Sequence, residues 1–260
     1  MLRQQFKREE LPMEEFRQLG LADWNVLHID DEDLAALLAG RRTDMLRLEN
    51  LEQQGLRIPA LDAKLSLRRN DNGGVELLAH PIYKFAEGPE YLTDTEIESL
   101  EKGEALNLVK TITGDDGNKR EVLVEFDKET NEFITVETDK ILPPEEINGI
   151  PLTPQQKKDY RKGREVETQD GTTIQYSAKD KRAIRADRLA LIASVLSDGG
   201  VSYMLFKGLN ALFNKEQHRE PGRNFHKAVE KMSRSEINQA ARGGMPENDA
   251  DEDIAETISR

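Results

Sequence analysis

Hydrophobic and polar residues follow two periods along this chain, and the changes of period divide it into segments. The first segment, residues 8–40, has the three-to-four-residue spacing of helices and predicts a helix, a turn and a second helix. The second helix is predicted from Asp31 to Leu38, because acidic residues fill its first turn and Gly40 follows its last.

The next segment alternates with a period of two. Apolar residues at positions 61, 63, 65 and 67 alternate with polar ones, and a second apolar run begins at Val75. The intervening sequence, Asn70-Asp71-Asn72-Gly73-Gly74, is rich in turn residues, so the two runs predict a β-hairpin. Residues 1–86 are therefore predicted to form a small N-terminal α+β module.

An internal duplication follows this module. The pattern Leu-Thr, six residues, Leu or Tyr, one residue, Lys-Gly begins at Leu92 and again at Leu152, and Gly103 and Gly163 keep the same offset. In the first copy, Thr93 and Glu96 have the spacing of a capping box, and three alternating segments follow the predicted helix. The sequence thus predicts a helix followed by a three-stranded meander as repeat 1, over residues 87–148.

Repeat 2 is predicted over residues 149–185 in a truncated form. Thr153, Pro154 and Gln156 favour a helix start, and two short strands bracket the turn at Asp170-Gly171. The third strand is expected to be replaced by the basic stretch KDKRAIRADR, which leads into a helical region over residues 186–242. The last residues, 243–260, are acidic and free of aromatic side chains, which is typical of a disordered tail.

The helical region contains the longest apolar stretch of the chain, from Leu189 to Phe213. Asp198, Gly199, Gly200 and Lys207 interrupt it, so it favours a packed helical hairpin over a membrane helix. Its apolar content also makes it a candidate face for a protein partner or a homo-oligomer. The residues of this candidate face are Leu189, Ile192, Leu196, Met204, Leu205, Phe206, Leu209, Leu212 and Phe213.

Composition narrows the classes of function. The chain has 260 residues, 33% of them charged, and a formal net charge of −13, which opposes non-specific nucleic-acid binding by the whole chain. It contains no cysteine, which removes disulfides and thiolate sites and suits a cytoplasmic protein. The fold class predicted from these patterns is α+β with small cores.

The spacing of residues in the sequence matches no catalytic or metal-binding motif. The four histidines, His28, His80, His218 and His226, lack metal-ligand spacing, and no serine lies in a nucleophile elbow. Neither a phosphate-binding loop nor any cofactor-binding motif is present. The prediction is therefore a non-enzymatic protein without metal or cofactor.

Two basic groups are candidate binding sites for nucleic acid or an acidic partner. The first comprises Arg41, Arg42 and Arg47, and the second comprises Lys181, Arg185 and Arg188. On a helix the second group would occupy one continuous face, which could grip phosphates. The alternative is a solvated face that pairs with the acidic tail.

Parts of the sequence resemble known domains. LPMEEFRQLGL, LLAGRRTDMLRL and DAKLSLRRNDNGGVELLAHPI resemble an uncharacterised N-terminal domain in proteins of conjugative transposons and related mobile elements of gut anaerobes. The repeats resemble a second uncharacterised domain, which occurs in tandem and is sometimes attached to type IA topoisomerases. The resemblance spans about residues 5–180 and supplies no catalytic residues.

These observations lead to three hypotheses for the function. The first is a modular accessory protein of a mobile element that binds another protein. The second is a nucleic-acid-binding accessory factor in DNA transfer or processing, which would act through the basic groups. The third is an inhibitor of a host defence system, because strong acidity suits mimicry of a nucleic-acid surface.

Overall fold

A computed structural model describes residues 6–24, 26–53, 56–70, 72–114, 117–187, 190–195, 201–206 and 223–231. Over these residues the fold is mixed α+β, as predicted, with five α-helices and several small antiparallel sheets. The predicted tail over residues 243–260 lies outside the described residues.

The N-terminal module packs two helices on one face of a three-stranded sheet. A short 3-10 turn, Arg8–Glu10, precedes the following elements: α1 Met13–Gln18, β1 Ala22–Asp23, β2 Val26–Leu27, α2 Asp31–Leu38, β3 Leu46–Gln53, β4 Leu56–Arg69 and β5 Val75–Pro81. Both predicted helices and the predicted hairpin of β4 and β5 are confirmed, and β1 and β2 form a small ribbon between the helices.

The alternating pattern of β4 produces a buried face. Ala63, Leu65 and Leu67 point into a core shared with Phe16 of α1 and Leu37 of α2. The Asp30 side chain accepts the backbone N–H of Asp33 and so caps α2, which fixes where that helix begins. The polar face of β4 is also covered, because Lys64 is buried against repeat 1.

Repeat 1 has the predicted order of elements. Helix α3 spans Asp94–Lys102 and begins with the capping box of Thr93 and Glu96. It ends at Gly103, whose φ of 79° is the left-handed conformation that glycine adopts at low cost. The antiparallel sheet that follows consists of β6 Leu108–Thr113, β7 Lys119–Asp127 and β8 Glu132–Glu137, with β7 in the centre.

Repeat 2 is more complete than predicted. Helix α4 spans Pro154–Arg161, and Thr153 and Gln156 form the expected capping box. The antiparallel strands after it are β11 Val166–Glu167, β12 Thr173–Tyr176 and β13 Ile184–Ala186. The predicted loss of the third strand was wrong, because Ile184 and Ala186 alternate with Arg185 and point into the core while the arginine reaches a buried carboxylate.

The segment after repeat 2 forms strands where two helices were predicted. β14 Ala190–Val195 pairs with β15 Val201–Phe206, and β14 also pairs with β9 Glu146–Ile147, which forms a tight hairpin with β10 Ile150–Pro151. The helical prediction was wrong here because short continuous apolar runs fit a buried strand as well as a helix, and these runs contain β-branched and aromatic residues. Helix α5, Arg223–Lys231, confirms part of the helical region predicted over residues 186–242.

Both faces of the repeat 1 sheet are covered. Val122, Val124 and Phe126 of β7 pack under α3. Leu123, from the opposite face of the same strand, lies in a core with Tyr160 and other residues of repeat 2. The duplicated units therefore share one core. The sheet of repeat 1 lies between α3 and repeat 2.

Candidate functional site

The second basic group does not lie on a helix, so the predicted helical face was wrong. Lys181 lies in the turn before β13, Arg185 lies within β13, and Arg188 is outside the described residues. The Lys181 Nζ atom faces four carboxylates of the N-terminal module. Its distances to oxygens of these residues are 2.7 Å for Asp44, 3.2 Å for Glu32, 3.6 Å for Asp33 and 3.9 Å for Asp30.

Arg185 reaches inward to a buried glutamate. Its Nη2 atom lies 3.3 Å from Oε2 of Glu125, a fully buried residue of β7, and 3.0 Å from the Ser177 hydroxyl. Burial raises the pKa of Glu125, and the nearby charge of Arg185 opposes that rise. Arg185 thus stabilises the contact between the two repeats and offers no free cation to a polyanion.

The first basic group separates into three different environments. Arg47 is exposed, and its Nη1 atom lies 3.0 Å from Asp62. Arg42 is nearly buried and donates to Glu132 of β8 at 2.6 Å. Arg41 differs from both, because its guanidinium makes no hydrogen bond or ion pair with the described residues.

Arg41 lines a cleft of about 840 Å³ to which the N-terminal module and both repeats contribute. We call it the inter-module cleft. Apolar residues contribute to its lining, among them Leu67 from β4, Ile134 from the repeat 1 sheet and Tyr176 from repeat 2. This volume lies within the range of about 300–1,000 Å³ that small-molecule sites occupy.

The end of α2 positions Arg41. Gly40 has a φ of 72°, and its N–H donates to the Leu37 carbonyl, while the Arg41 N–H donates to the Ala36 carbonyl at 2.8 Å. These are the two hydrogen bonds of a Schellman cap. Two residues on, the Thr43 N–H donates to the Leu65 carbonyl at 2.9 Å, so the backbone that bears Arg41 is fixed against β4.

The Arg41 guanidinium is charged but poorly solvated. Its Nε and Nη1 atoms are shielded from solvent without a hydrogen-bond partner, which leaves Nη2 as the nitrogen that a ligand would contact first. Burial lowers the pKa of Arg41, while nearby Tyr160, Tyr176 and Asp180 oppose that shift. The Tyr160 hydroxyl already donates to the Ala183 carbonyl at 2.9 Å, and Asp180 accepts the Arg182 backbone N–H.

A chain of three polar side chains lies where the N-terminal module meets repeat 1. Ser66 Oγ is 2.8 Å from Nε2 of His80, and Nδ1 of His80 is 3.2 Å from Oε2 of Glu132. Burial would raise the pKa of Glu132, but hydrogen bonds from His80 and Arg42 outweigh burial and lower it to about 2. The ionised Glu132 therefore orients His80 with Nδ1 as donor, so Nε2 can accept the Ser66 proton.

Sequence reasoning missed this chain because its members are not close in sequence. The hairpin register offered one signal, since Ser66 pairs with Leu78 and Lys64 pairs with His80, which places Ser66 and His80 on one face. Nothing local indicated Glu132, which arrives from another sheet. Ser66 also lines the inter-module cleft.

The predicted apolar face is only partly described. Ile192 lies in β14 and is buried in the shared core, while Met204, Leu205 and Phe206 lie in β15, at the end of a four-stranded sheet. The other members of that face lie outside the described residues: Leu189, Leu196, Leu209, Leu212 and Phe213.

Large apolar side chains are also exposed elsewhere, the most exposed of them at two places. Trp24 is 87% exposed and has a φ of 53°, and its neighbour Val26 is also exposed. Ile82 and Phe85 are exposed on the segment that leads from β5 to repeat 1. The Trp24 carbonyl accepts a hydrogen bond from Arg17 Nη1 at 3.0 Å, which holds the ribbon of β1 and β2 against α1.

Two kinds of site are absent from the part of the chain that the structure describes. No group of three or more histidine, cysteine, aspartate or glutamate residues is arranged to hold a metal ion. No helix there has the length and apolar character needed to cross a membrane.

Comparison with known proteins finds a similarity over one part of the chain. Residues 6–88 match a family model described as "Protein of unknown function (DUF4099)". No curated protein matches the chain, and no solved structure matches it. The N-terminal module of this chain is thus similar to the DUF4099 family from Phe6 to Gly88, the segment that contains Trp24, Arg41, Ser66 and His80.

Proposed function

We propose that this chain is a non-enzymatic accessory protein that binds another protein through the exposed apolar residues of its N-terminal module. The proposal includes that the protein belongs to a mobile element and acts in the cytoplasm. The first of these rests on the resemblance of the sequence, and the second on the absence of cysteine.

The exposure of Trp24 carries the proposal. A bulky residue with positive φ is rare, since the left-handed conformation costs about 1–2 kcal/mol for residues other than glycine. An exposed indole also gains none of the free energy that burial of its apolar surface would supply. Tryptophan is also among the residues that dominate binding energy in protein interfaces. A partner that covers Trp24 would account for its exposure, while its positive φ fits its place in the two-residue turn between β1 and β2.

Nucleic-acid binding receives less support from the geometry. Arg42, Arg47, Lys181 and Arg185 all lie within 4 Å of carboxylates of the chain itself. A phosphate would have to displace those carboxylates before it gained any contact.

The test uses the full chain, tagged and expressed in its native host, with variants Trp24→Ala and Leu106→Ala. Leu106 is the matched control, because it is an exposed apolar residue of repeat 1. We expect a protein to co-purify with the wild type and the Leu106 variant at similar yield, and at least tenfold less with the Trp24 variant. Equal recovery with both variants would reject the proposal.

A direct measurement complements this experiment. Trp24 is the only tryptophan of the chain, so its fluorescence reports on its own surroundings. A purified partner that lacks tryptophan should shift the emission to shorter wavelength on binding. An unchanged spectrum in a saturated complex would show that the partner binds elsewhere.

A second function is favoured by one observation, the chain from Ser66 through His80 to Glu132. This connectivity is that of a serine nucleophile, a general base and an orienting carboxylate, which act in hydrolysis of esters and amides. In that case the Ser66 oxygen would attack the carbonyl carbon and His80 would accept the hydroxyl proton.

A fluorophosphonate probe tests this second function. The Ser66 oxygen would form a bond to phosphorus, fluoride would leave, and the hydroxyl proton would pass to His80. We expect labelling of the wild type and of Ser99→Ala, a control on α3, but not of Ser66→Ala or His80→Gln. No labelling of the folded wild type would exclude an activated serine and leave the protein-binding proposal untouched.

A further inference from the structure

We infer that the inter-module cleft is a binding site for a small monocarboxylic acid with an apolar body, and that Arg41 receives the carboxylate. The inference goes beyond the proposed function, because it depends neither on a partner at Trp24 nor on reactivity of Ser66. It rests on an uncompensated cation, its surroundings and the shape of the cleft.

The charge of Arg41 has no carboxylate partner among the described residues. Four basic residues line the cleft, and three of them have carboxylate partners: Arg42 pairs with Glu132, and Arg120 and Lys140 both contact Glu137. Arg41 is the one cation among these lining residues without such a partner. A poorly solvated and unpaired guanidinium is costly, so an anion that entered the cleft would gain a strong interaction there.

The charge balance favours a carboxylate over a phosphate. A single free guanidinium matches a monoanion, whereas a phosphate monoester carries close to two negative charges at neutral pH. A second charge would face Glu137 and Asp139, which also line the cleft. Asp180 acts on Arg41 only through space, since its carboxylate accepts the Arg182 N–H at 2.7 Å and makes no ion pair with Arg41.

The apolar wall indicates the rest of the ligand. Leu67 of β4 and Ile134 and Val136 of β8 line the cleft. Both strands are fixed by pairing within their sheets, so this apolar wall is formed before any ligand binds. An aliphatic chain would bury its surface there while its carboxylate reached Arg41.

The test measures the unfolding temperature of the full chain during titration with acetate, hexanoate and inorganic phosphate at constant ionic strength. The variants are Arg41→Met and, as matched control, Arg47→Met, which removes the same charge at an exposed position. We expect saturable stabilisation by both carboxylates, with hexanoate at least about tenfold tighter than acetate because it buries four more methylene groups. Phosphate should bind more weakly than hexanoate.

The two variants show whether carboxylate binding depends on Arg41 itself. Arg47→Met should respond to hexanoate as the wild type does, and Arg41→Met should not respond. In the absence of added acetate or hexanoate, the Arg41→Met variant should unfold at the same temperature as the wild type or higher, because the substitution removes an unpaired buried charge.

Three outcomes would overturn the proposal. They are an absence of saturable carboxylate binding to the wild type, equal loss of binding in both variants, and failure of Arg41→Met to fold, which would show that Arg41 has a structural partner. Saturable binding of phosphate alone would reject the assignment to a carboxylate.

Discussion

Lys64 and Asp127 form a buried ion pair between the N-terminal module and repeat 1. The Lys64 Nζ atom lies 2.8 Å from Oδ2 of Asp127, and the two side chains are 3% and 1% exposed. Glu129 approaches the same ammonium group at 2.6 Å from the solvent side. Burial alone would lower the pKa of Lys64, but its hydrogen bonds to Asp127 and Glu129 outweigh burial and raise it.

Removing one partner of this pair should destabilise the protein strongly. We expect Lys64→Met to lower the free energy of unfolding by about 3–5 kcal/mol, because it leaves the buried Asp127 charge without its cation. The double variant Lys64→Met with Asp127→Leu should recover most of that loss, since both buried charges are gone. Urea unfolding of the three proteins measures these differences, and a double variant as unstable as the single one would show that packing matters more than charge.

Glu132 should make the stability depend on acidity. Its folded pKa of about 2 is below the ordinary value of about 4.5, so its stabilising contribution is complete above pH 4.5 and is lost as the pH falls towards 2. Glu132→Gln should abolish this component, whereas Glu101→Gln on α3 should leave it intact. Unfolding free energies between pH 2 and pH 6 test this, and parallel curves for the wild type and Glu132→Gln would contradict it.

The two equivalent glycines of the repeats should differ in their tolerance of a methyl group. A Cβ on Gly163 would lie 2.4 Å from Cδ1 of Leu123, whereas a Cβ on Gly103 would meet only the flexible Lys128 side chain at 3.1 Å. Both residues have positive φ, so alanine costs about 1 kcal/mol at either position.

Overpacking adds about 1–3 kcal/mol at Gly163 alone. Thermal unfolding of Gly103→Ala and Gly163→Ala should therefore show a clearly larger loss for the second variant. Equal losses would mean that the contact between Gly163 and Leu123 relaxes freely.

Lys181 should contribute to stability in a salt-dependent way. Its ammonium group lies among carboxylates of Asp30, Glu32, Asp33 and Asp44, so Lys181→Gln leaves them to repel one another. We expect a loss of about 1–3 kcal/mol at low salt that shrinks as NaCl is added. Lys119→Gln, an exposed position at the start of β7, serves as control and should change little. A loss that does not vary with salt would assign the effect to packing.

Much of the local structure could be predicted from the sequence. Capping residues and glycines indicated where α2, α3 and α4 begin and end, and the period of two indicated the strands of β4 and β7. These signals lie within a few residues of the structure that they specify. The strands β14 and β15 were misread because these short, largely apolar runs carry no periodicity that separates a strand from a helix.

The candidate site depends on contacts that no local pattern contains. Lys64 and Glu125 occupy the polar positions of alternating strands, which predicts exposure, yet each faces a neighbouring module. Their partners lie in other sheets, and only the packing of modules brings them together. For the same reason, Arg41, Arg42 and Arg47 have separate environments in the structure although they are close in sequence.

The sheet of repeat 1 lies between α3 and repeat 2, and this position limits which deletions the gene can tolerate. An in-frame deletion of the second copy would expose Leu123 to water and would remove Ser177 and Arg185 from the Glu125 carboxylate. The second copy thus completes the fold of the first, and the two must be retained together.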